Sequence, residues 1–157
     1  MPHLVILYTG QLDAEVKMTT LCRQLADAML TVKDEDGQQV FPTGGVRVLA
    51  YPAPHYAVAD GGAAGRAAGG TGDYAFVYLN VRMGRGRSPS TQQHAGQALL
   101  KVAKTFFYPV MAQRHIGIKL QIDEGPEVFD AKLSNLHPLF QAAVPPVQTS
   151  GSEPEFR

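Results

Sequence analysis

The chain has a single cysteine, no tryptophan and no net charge. Its 157 residues include 14 lysines and arginines against 14 aspartates and glutamates, and charged residues make up only 18% of the sequence. A neutral chain with few charges offers no footprint for nucleic acid or an anionic membrane, so we expect neither partner. One cysteine excludes an intramolecular disulfide, and the position of Cys22 in an apolar helical pattern is typical of a packing residue.

Long apolar runs and known chemical motifs are also missing. No apolar stretch reaches the roughly 20 residues of a membrane span, and we expect no secretory signal because a basic region followed by an apolar stretch is absent. The five histidines lack the H-x-x-x-H spacing of a metal site, and neither a Walker lysine nor a G-x-S-x-G elbow is present. We therefore expect a cytoplasmic protein whose basic chemistry is local.

Two parts of the chain share one layout of strand, helix and strand. The first contains the apolar strand Leu4–Tyr8, a helical pattern over residues 18–30 and the strand Val46–Tyr51. The second contains the long strand Tyr74–Met83, a helix and the alternating strand Ile116–Ile122. Each crossover is long enough to return its second strand parallel to the first. We therefore predict an α+β fold in which two β-α-β units form a four-stranded sheet with both helices on one face.

The helix boundaries follow from capping residues and prolines. Thr19 or Thr20 is the predicted N-cap of the first helix. Ser88 is the predicted N-cap of the second, with Pro89 at its first position. Pro109 falls late in the second helix, so we expect a kink or an early end there. The apolar stripe of this helix is predicted to contain Ala95, Ala98, Leu99, Val102, Ala103, Phe106 and Val110.

The face of the sheet opposite the helices has no predicted cover. Alternate residues of the strands are too apolar to face water, and an exposed apolar surface of this size usually contacts another protein. We therefore expect another subunit to cover this face.

Three further segments complete the predicted organisation of one domain over residues 1–140. The glycine- and alanine-rich stretch Gly61–Gly72 has almost no side chains that could bury surface, so it is predicted to be a flexible loop. The apolar segment Leu133–Phe140 is predicted to dock as an arm on its own or a neighbouring subunit. Residues 141–157 are predicted to form a polar, proline-containing tail.

Pro2 stands directly behind the initiator methionine, at the tip of the first strand. One interpretation gives it no function, since proline is tolerated at the first residue of a strand. The other starts from removal of Met1, which a small second residue usually permits and which would leave a secondary amine. An ordinary terminal amine has a pKa of about 7.7–8.0, and a prolyl amine lies somewhat higher. Apolar surroundings and a nearby cation would lower that pKa toward neutrality, where a general base works best.

The second interpretation requires arginines near the terminus, and two are candidates. Arg47 opens the predicted second strand, and Arg87 ends the segment MGRGRS just before the helix cap. A guanidinium group binds a carboxylate in bidentate fashion, and a helix N-terminus adds free N–H groups. Arg87 with this helix end could hold one carboxylate and Arg47 a second. Either could instead be a solvated surface residue, which is the interpretation that we keep for Arg82 and Arg85.

Several motifs in order along the chain resemble one enzyme family. They are MPH at the N-terminus, FPTGGVR, GDYAFVYLNVRMGRGRS, PSTQQHAGQALL and LSNLHPLF. Together they resemble the 5-carboxymethyl-2-hydroxymuconate delta-isomerases of the tautomerase superfamily, over most of Pro2–Phe140. The resemblance implies two β-α-β units, a homotrimer, and catalysis without a cofactor or metal. The glycine- and alanine-rich loop looks longer than the family pattern.

The resemblance also implies roles for individual residues. Pro2 would be the general base, and Arg47 and Arg87 would contact the carboxylates of a small di- or tricarboxylate dienol. That substrate, 5-carboxymethyl-2-hydroxymuconate, would become its conjugated keto isomer during homoprotocatechuate breakdown. Which arginine steadies the dienolate charge stays open. Two alternatives also stay open: a broader keto–enol tautomerase acting on another 2-hydroxydienoate or a phenylpyruvate-like compound, and a trimeric ligand-binding or scaffold module without turnover.

Overall fold

The four predicted strands and two predicted helices follow one another along the chain in the predicted order. A computed structural model describes residues 2–141. Its elements are the strands β1 (His3–Thr9), β2 (Val48–Ala53), β3 (Ala75–Met83) and β4 (Ile116–Glu124), the helices α1 (Met18–Thr31), α2 (Ala63–Ala67) and α3 (Pro89–Met111), and short 3-10 turns at Gly10–Ala14, Thr43–Gly45 and His137–Phe140.

The four strands form one mixed sheet in the order β2-β1-β3-β4. Within each β-α-β unit the strands are parallel, β1 with β2 and β3 with β4. The two units meet at the centre of the sheet, where β1 and β3 are antiparallel and His3 lies opposite Arg82. The predicted arrangement of two β-α-β units in one four-stranded sheet is confirmed.

One face of the sheet packs against α1 and α3 to form the core. Alternate residues of the central strands point into this core, because successive side chains of a strand face opposite sides. Cys22 packs against the core from α1, and burial raises the pKa of its thiol, as expected of a packing residue. The fully buried side chains of the central strands and the two helices include Leu4, Ile6, Val77, Leu79, Val81, Leu21, Leu25, Met29, Leu99 and Phe107.

The other face of the sheet is uncovered within the described chain. It presents Leu7, Leu49, Tyr51 and Phe76, whose exposed fractions are 47%, 45%, 51% and 38%. We call this surface the open face. Its apolar composition agrees with the prediction that the side of the sheet opposite the helices needs a cover.

The N-cap of helix α1 lies earlier than predicted. Its N-cap is Lys17, without a side-chain hydrogen bond, and Thr19 and Thr20 lie inside the first turn. The backbone N–H groups of Thr20 and Leu21 both donate to the Lys17 carbonyl, so the helical hydrogen bonding already starts at that residue. The prediction of a threonine cap is therefore wrong.

Helix α3 follows its prediction closely. Ser88 is the N-cap, Pro89 is the first residue, and the helix passes Pro109 to end at Met111. Pro109 removes the hydrogen bond that an N–H group at this position would donate to the Thr105 carbonyl, and the helix ends two residues later. Phe107 rather than Phe106 is the fully buried aromatic residue of the stripe.

The prediction of a flexible loop over Gly61–Gly72 is wrong at α2. The carboxylate of Asp60 accepts hydrogen bonds from the backbone N–H groups of Gly62 and Ala64, both at 3.0 Å, and these bonds lower the pKa of Asp60. The Tyr74 hydroxyl accepts a third from Gly65 at 2.8 Å. Backbone groups thus order a segment that has few side chains to bury.

The apolar arm docks on its own chain. The His137 ring packs against the backbone of Gly44, where an added Cβ would come within 3.1 Å of it. Leu139 and Phe140 nevertheless keep 71% and 53% of their surface exposed. Of the predicted tail, only residue 141 is described, and residues 142–157 lie outside the described part of the chain.

A carboxylate from the α1–β2 connection lies at the N-terminus of α3. The Ser88 hydroxyl accepts from the Thr91 N–H at 3.1 Å and donates to Glu35, while the Thr91 hydroxyl donates to the other Glu35 oxygen at 3.0 Å. These bonds, that from Ser88 foremost, hold the pKa of Glu35 below its usual value of 4.5. A negative charge there also complements the helix dipole.

We expect Glu35→Gln to lower the free energy of unfolding at neutral pH. Because the folded state depresses this pKa, the contribution is present above about pH 4.5 and is lost as the pH falls through the lower folded value. In urea unfolding, the variant should therefore have a lower midpoint than wild type at pH 7, and the difference should shrink below pH 4.5. Asp36→Asn, which removes a neighbouring exposed charge, is the control. An unchanged difference at low pH would contradict this assignment.

Candidate active site

The beginning of β1, the end of β3 and the approach to β2 meet at one end of the sheet. This follows from the pairing, since β2 runs parallel to β1 and β3 runs antiparallel to it. The backbone N–H of Leu4 donates to the Arg47 carbonyl at 2.8 Å, so the β1–β2 ladder continues one residue before β2 begins. Pro2, Arg47 and Arg87 therefore all lie at this end, which we call the amino end of β1.

Pro2 has apolar neighbours on both sides. Continuing the two registers by one residue places it beside Met83 of β3 and near Val46 ahead of β2. Met83 is only 4% exposed, and Pro2 and Val46 are half-buried. Such surroundings disfavour the charged form of an amine at this position. Apolar surroundings are the first of the two conditions for a neutral amine, and a nearby cation is the second.

Arg47 supplies one cation at this end. Arg47 was predicted to open β2, but it lies just before that strand. The 3-10 turn at Thr43–Gly45 delays the start of β2 to Val48. The side chain is half-buried, and its Nη1 lies 3.4 Å from the Gly45 carbonyl oxygen. The turn therefore accepts a hydrogen bond from the guanidinium group, while the bond from Leu4 holds the Arg47 backbone beside β1.

Arg87 supplies a second cation from the opposite side of β1. It follows Gly86, whose φ of +103° belongs to the left-handed region that favours glycine. Its Nη2 donates to the Val40 carbonyl at 2.7 Å, which ties the β3–α3 loop to the segment before β2. This bond uses one of the five N–H donors of a guanidinium group. Arg87 is exposed, so the other donors are accessible to a ligand.

The N-terminus of α3, which follows Arg87, is not free to bind a substrate carboxylate. The sequence suggested that this end of α3 could help to hold a substrate carboxylate. Its capping hydroxyls instead contact the carboxylate of Glu35, and a second carboxylate beside it would be repelled. Arg87 is therefore the remaining candidate for binding an anion on this side.

Glu35 and Arg82 are two residues of this end that no sequence pattern marks as functional. Glu35 lies 53 residues from Ser88 along the chain, and no local pattern signals their contact. Arg82 lies between the buried residues Val81 and Met83. Strand alternation could have placed its side chain away from the core, but its position opposite His3 depends on the pairing of β1 with β3.

No metal or membrane feature accompanies these residues. Among residues 2–141, no group of three or more histidine, cysteine, aspartate or glutamate side chains is arranged to hold a metal ion. In the same part of the chain, no helix combines the length and apolar character that crossing a membrane requires.

Comparison with known proteins gives one consistent result. The family model of 5-carboxymethyl-2-hydroxymuconate isomerase matches residues 2–140. The crystal structure of a 5-carboxymethyl-2-hydroxymuconate delta-isomerase is 61% identical, covers 92% of this chain and 95% of its own, and superposes with a TM-score of 0.88. An isomerase structure from Deinococcus radiodurans R1 is 30% identical, with 90% and 95% coverage and a TM-score of 0.72. The 5-carboxymethyl-2-hydroxymuconate Delta-isomerase of Escherichia coli is 26% identical over 141 residues, 90% of this chain and 100% of that protein.

Proposed function

The chain belongs to the 5-carboxymethyl-2-hydroxymuconate isomerase family. We therefore propose that it converts the dienol 5-carboxymethyl-2-hydroxymuconate into its conjugated keto isomer. The reaction moves a C=C bond within one molecule, as an intramolecular oxidoreductase does. We place it in the cytoplasm, in the breakdown of homoprotocatechuate. The observation that carries the proposal is the common position of Pro2, Arg47 and Arg87 at the amino end of β1.

The proposed base is the secondary amine that Pro2 presents once Met1 is removed. A retained methionine would turn this nitrogen into an amide, which cannot take a proton. A guanidinium group about 6 Å away, at an effective dielectric constant of about 20, disfavours the ammonium form by roughly 3 kcal/mol, or about 2 pKa units. Arg47 and Arg87 are the two candidates for this effect. An amine with its pKa near neutrality is matched to general-base work at neutral pH.

The proposed reaction is a proton relay. The Pro2 nitrogen takes the proton of the enol hydroxyl, which leaves a delocalised dienolate. The same nitrogen then gives a proton to a carbon further along the conjugated system, so that one O–H bond is lost and one C–H bond is formed. One of the two arginines stabilises the dienolate, and the other holds a carboxylate so that this carbon stays in reach of the base. The overall change needs no co-reactant.

We also propose that the chain assembles as a homotrimer. The open face supports this assembly, since its apolar side chains lack a cover within the described chain. A second copy that covers this face would remove the apolar surface from water, which stabilises the association.

Replacement of Pro2 should abolish most of the turnover and leave the fold intact. We expect Pro2→Ala to lower kcat at least about a hundredfold, the usual contribution of a general base. Turnover is measured by absorbance of the dienol, and the fold by circular dichroism. Pro54→Ala, at an exposed position just after β2, is the matched control. Intact mass must first establish that Met1 is absent. Turnover of Pro2→Ala near the wild-type level would contradict the base assignment, and a retained Met1 would favour the inactive module.

Loss of either arginine should weaken catalysis of a substrate with several carboxylates. We expect Arg47→Gln and Arg87→Gln each to lower kcat/KM about a hundredfold or more, as removal of a charge-stabilising donor does. Arg66→Gln, which removes an exposed arginine of α2, should have no effect. The same enzymes are then assayed with a monocarboxylated 2-hydroxydienoate. Equal wild-type rates on both compounds would favour the broader tautomerase.

Charging the open face should break the assembly. Leu49→Lys places an ammonium group on this face, where covering it would cost several kcal/mol, so we expect a monomer or a dissociating oligomer. Leu100→Lys is the control, because Leu100 is similarly exposed, at 41% against 45%, but lies on α3. Sedimentation should give wild type and the control three times the 16.9 kDa chain mass. A monomeric wild-type protein would refute the trimer.

A further inference from the structure

The proposed substrate has more carboxylates than the site has assigned arginines. A muconate is a six-carbon dienedioate with two carboxylates, and its carboxymethyl substituent adds a third. Arg47 and Arg87 account for two of them at most. On the basis of the proposed function, we infer that Arg82 binds the third carboxylate and is a specificity-determining residue. Its role is to distinguish a tricarboxylate from the corresponding dicarboxylate.

Arg82 belongs to the same end of the sheet as Pro2. It lies opposite His3 in the antiparallel β1–β3 pair, one residue from the register position of Pro2. Its neighbours Val81 and Met83 are buried on the helix side, at 0% and 4% exposure. Alternation along the strand therefore directs Arg82 to the open face.

Arg47 and Arg82 flank His3 on that face. The parallel register Leu4–Val48 and the hydrogen bond from Leu4 to the Arg47 carbonyl place Arg47 beside His3 on the other side. Adjacent strands lie about 4.8 Å apart, so the backbones of the two arginines are separated by about 10 Å. Both side chains are long enough to reach one small polyanion across this distance. Two cations on one row repel each other, and a bound polyanion relieves that repulsion.

The one acidic neighbour of Arg82 on this row does not occupy its guanidinium group. Asp123 lies opposite Arg82 on β4. Its two oxygens accept from Asn80 and Gln121, each at 2.7 Å, and these amide bonds are the main reason for its lowered pKa. Within residues 2–141, no carboxylate lies within the 4.0 Å of an ion pair with Arg82. The donors of Arg82 therefore have no carboxylate partner, although its charge also helps to lower the pKa of Asp123. The Arg82 Nη2 lies on the β4 side, where an added Cβ at Gly125 would come within 3.5 Å of it.

Arg85 is the other unassigned arginine at this end, and its setting differs. It lies between Gly84 and Gly86 in the β3–α3 loop, outside every strand. An added Cβ at either glycine would meet no atom within 4 Å, so the loop has open space on both sides of Arg85. Arg82 is anchored by strand pairs on both sides, with His3 and Asp123. Arg85 thus matches Arg82 in charge and exposure but not in fixed position.

The test compares Arg82→Gln with Arg85→Gln on two substrates. One is 5-carboxymethyl-2-hydroxymuconate, and the other is 2-hydroxymuconate, which lacks the carboxymethyl group. We expect Arg82→Gln to raise KM for the tricarboxylate at least tenfold, with kcat within about twofold, since it removes binding shared by ground and transition states. KM for the dicarboxylate should stay the same. Arg82→Lys should recover part of the loss because it keeps the charge.

Other results of this test would overturn either the inference or the proposed function. Equal increases in KM for Arg82→Gln and Arg85→Gln would reduce the effect to general electrostatics and overturn the inference. An increase for both substrates alike would also overturn it, since Arg82 would then not recognise the third carboxylate. Either result leaves the proposed function standing, provided that wild type turns over the tricarboxylate. A wild-type enzyme that acts on neither compound refutes the proposed function, and the inference with it.

Discussion

The pairing of β1 with β3 is the constraint on which the site depends. This antiparallel pair joins the two β-α-β units and brings the first residues of the chain beside the end of β3. Side chains alternate along each strand, so a slip of one residue would turn Leu4 and Ile6 out of the core. Both are fully buried, as are Val81 and Leu79 opposite them in the helix-side layer. The apolar core thus fixes the register, and the register fixes where Pro2 and the arginines lie.

Much of this fold could be predicted because its signals are local. The strand and helix periods, the Ser88 cap and the polarity of the two sheet faces all lie within short windows of sequence. The short helix α2 has almost no side chains of its own that could signal it. Its order comes from backbone N–H groups that donate to the side chains of Asp60 and Tyr74.

The candidate site also contains residues that the sequence indicates and residues that only the fold brings together. Pro2 and Arg87 stand out in the sequence by their residue type and their place beside a strand end. The contact of Glu35 with Ser88, and the row that contains Arg47, His3 and Arg82, are products of pairing between distant segments. A sequence pattern cannot distinguish a solvated arginine from one held in such a row. For this reason the sequence alone left Arg82 without a role.

The proposed assembly would affect the pKa of the proposed Pro2 base at the amino end of β1. The charge effect of an arginine about 6 Å from an amine is roughly 3 kcal/mol at a dielectric constant of about 20, but only about 0.7 kcal/mol in bulk water. Pro2 is half-buried in a single chain, and the open face begins at the next residue. A neighbouring copy that covers this face would exclude water from the same end of the sheet. Because both desolvation and a stronger charge effect disfavour the ammonium form, the amine of an assembled chain should be the better base at neutral pH. The apolar open face would then contribute to catalysis, because covering it would lower the pKa of the amine.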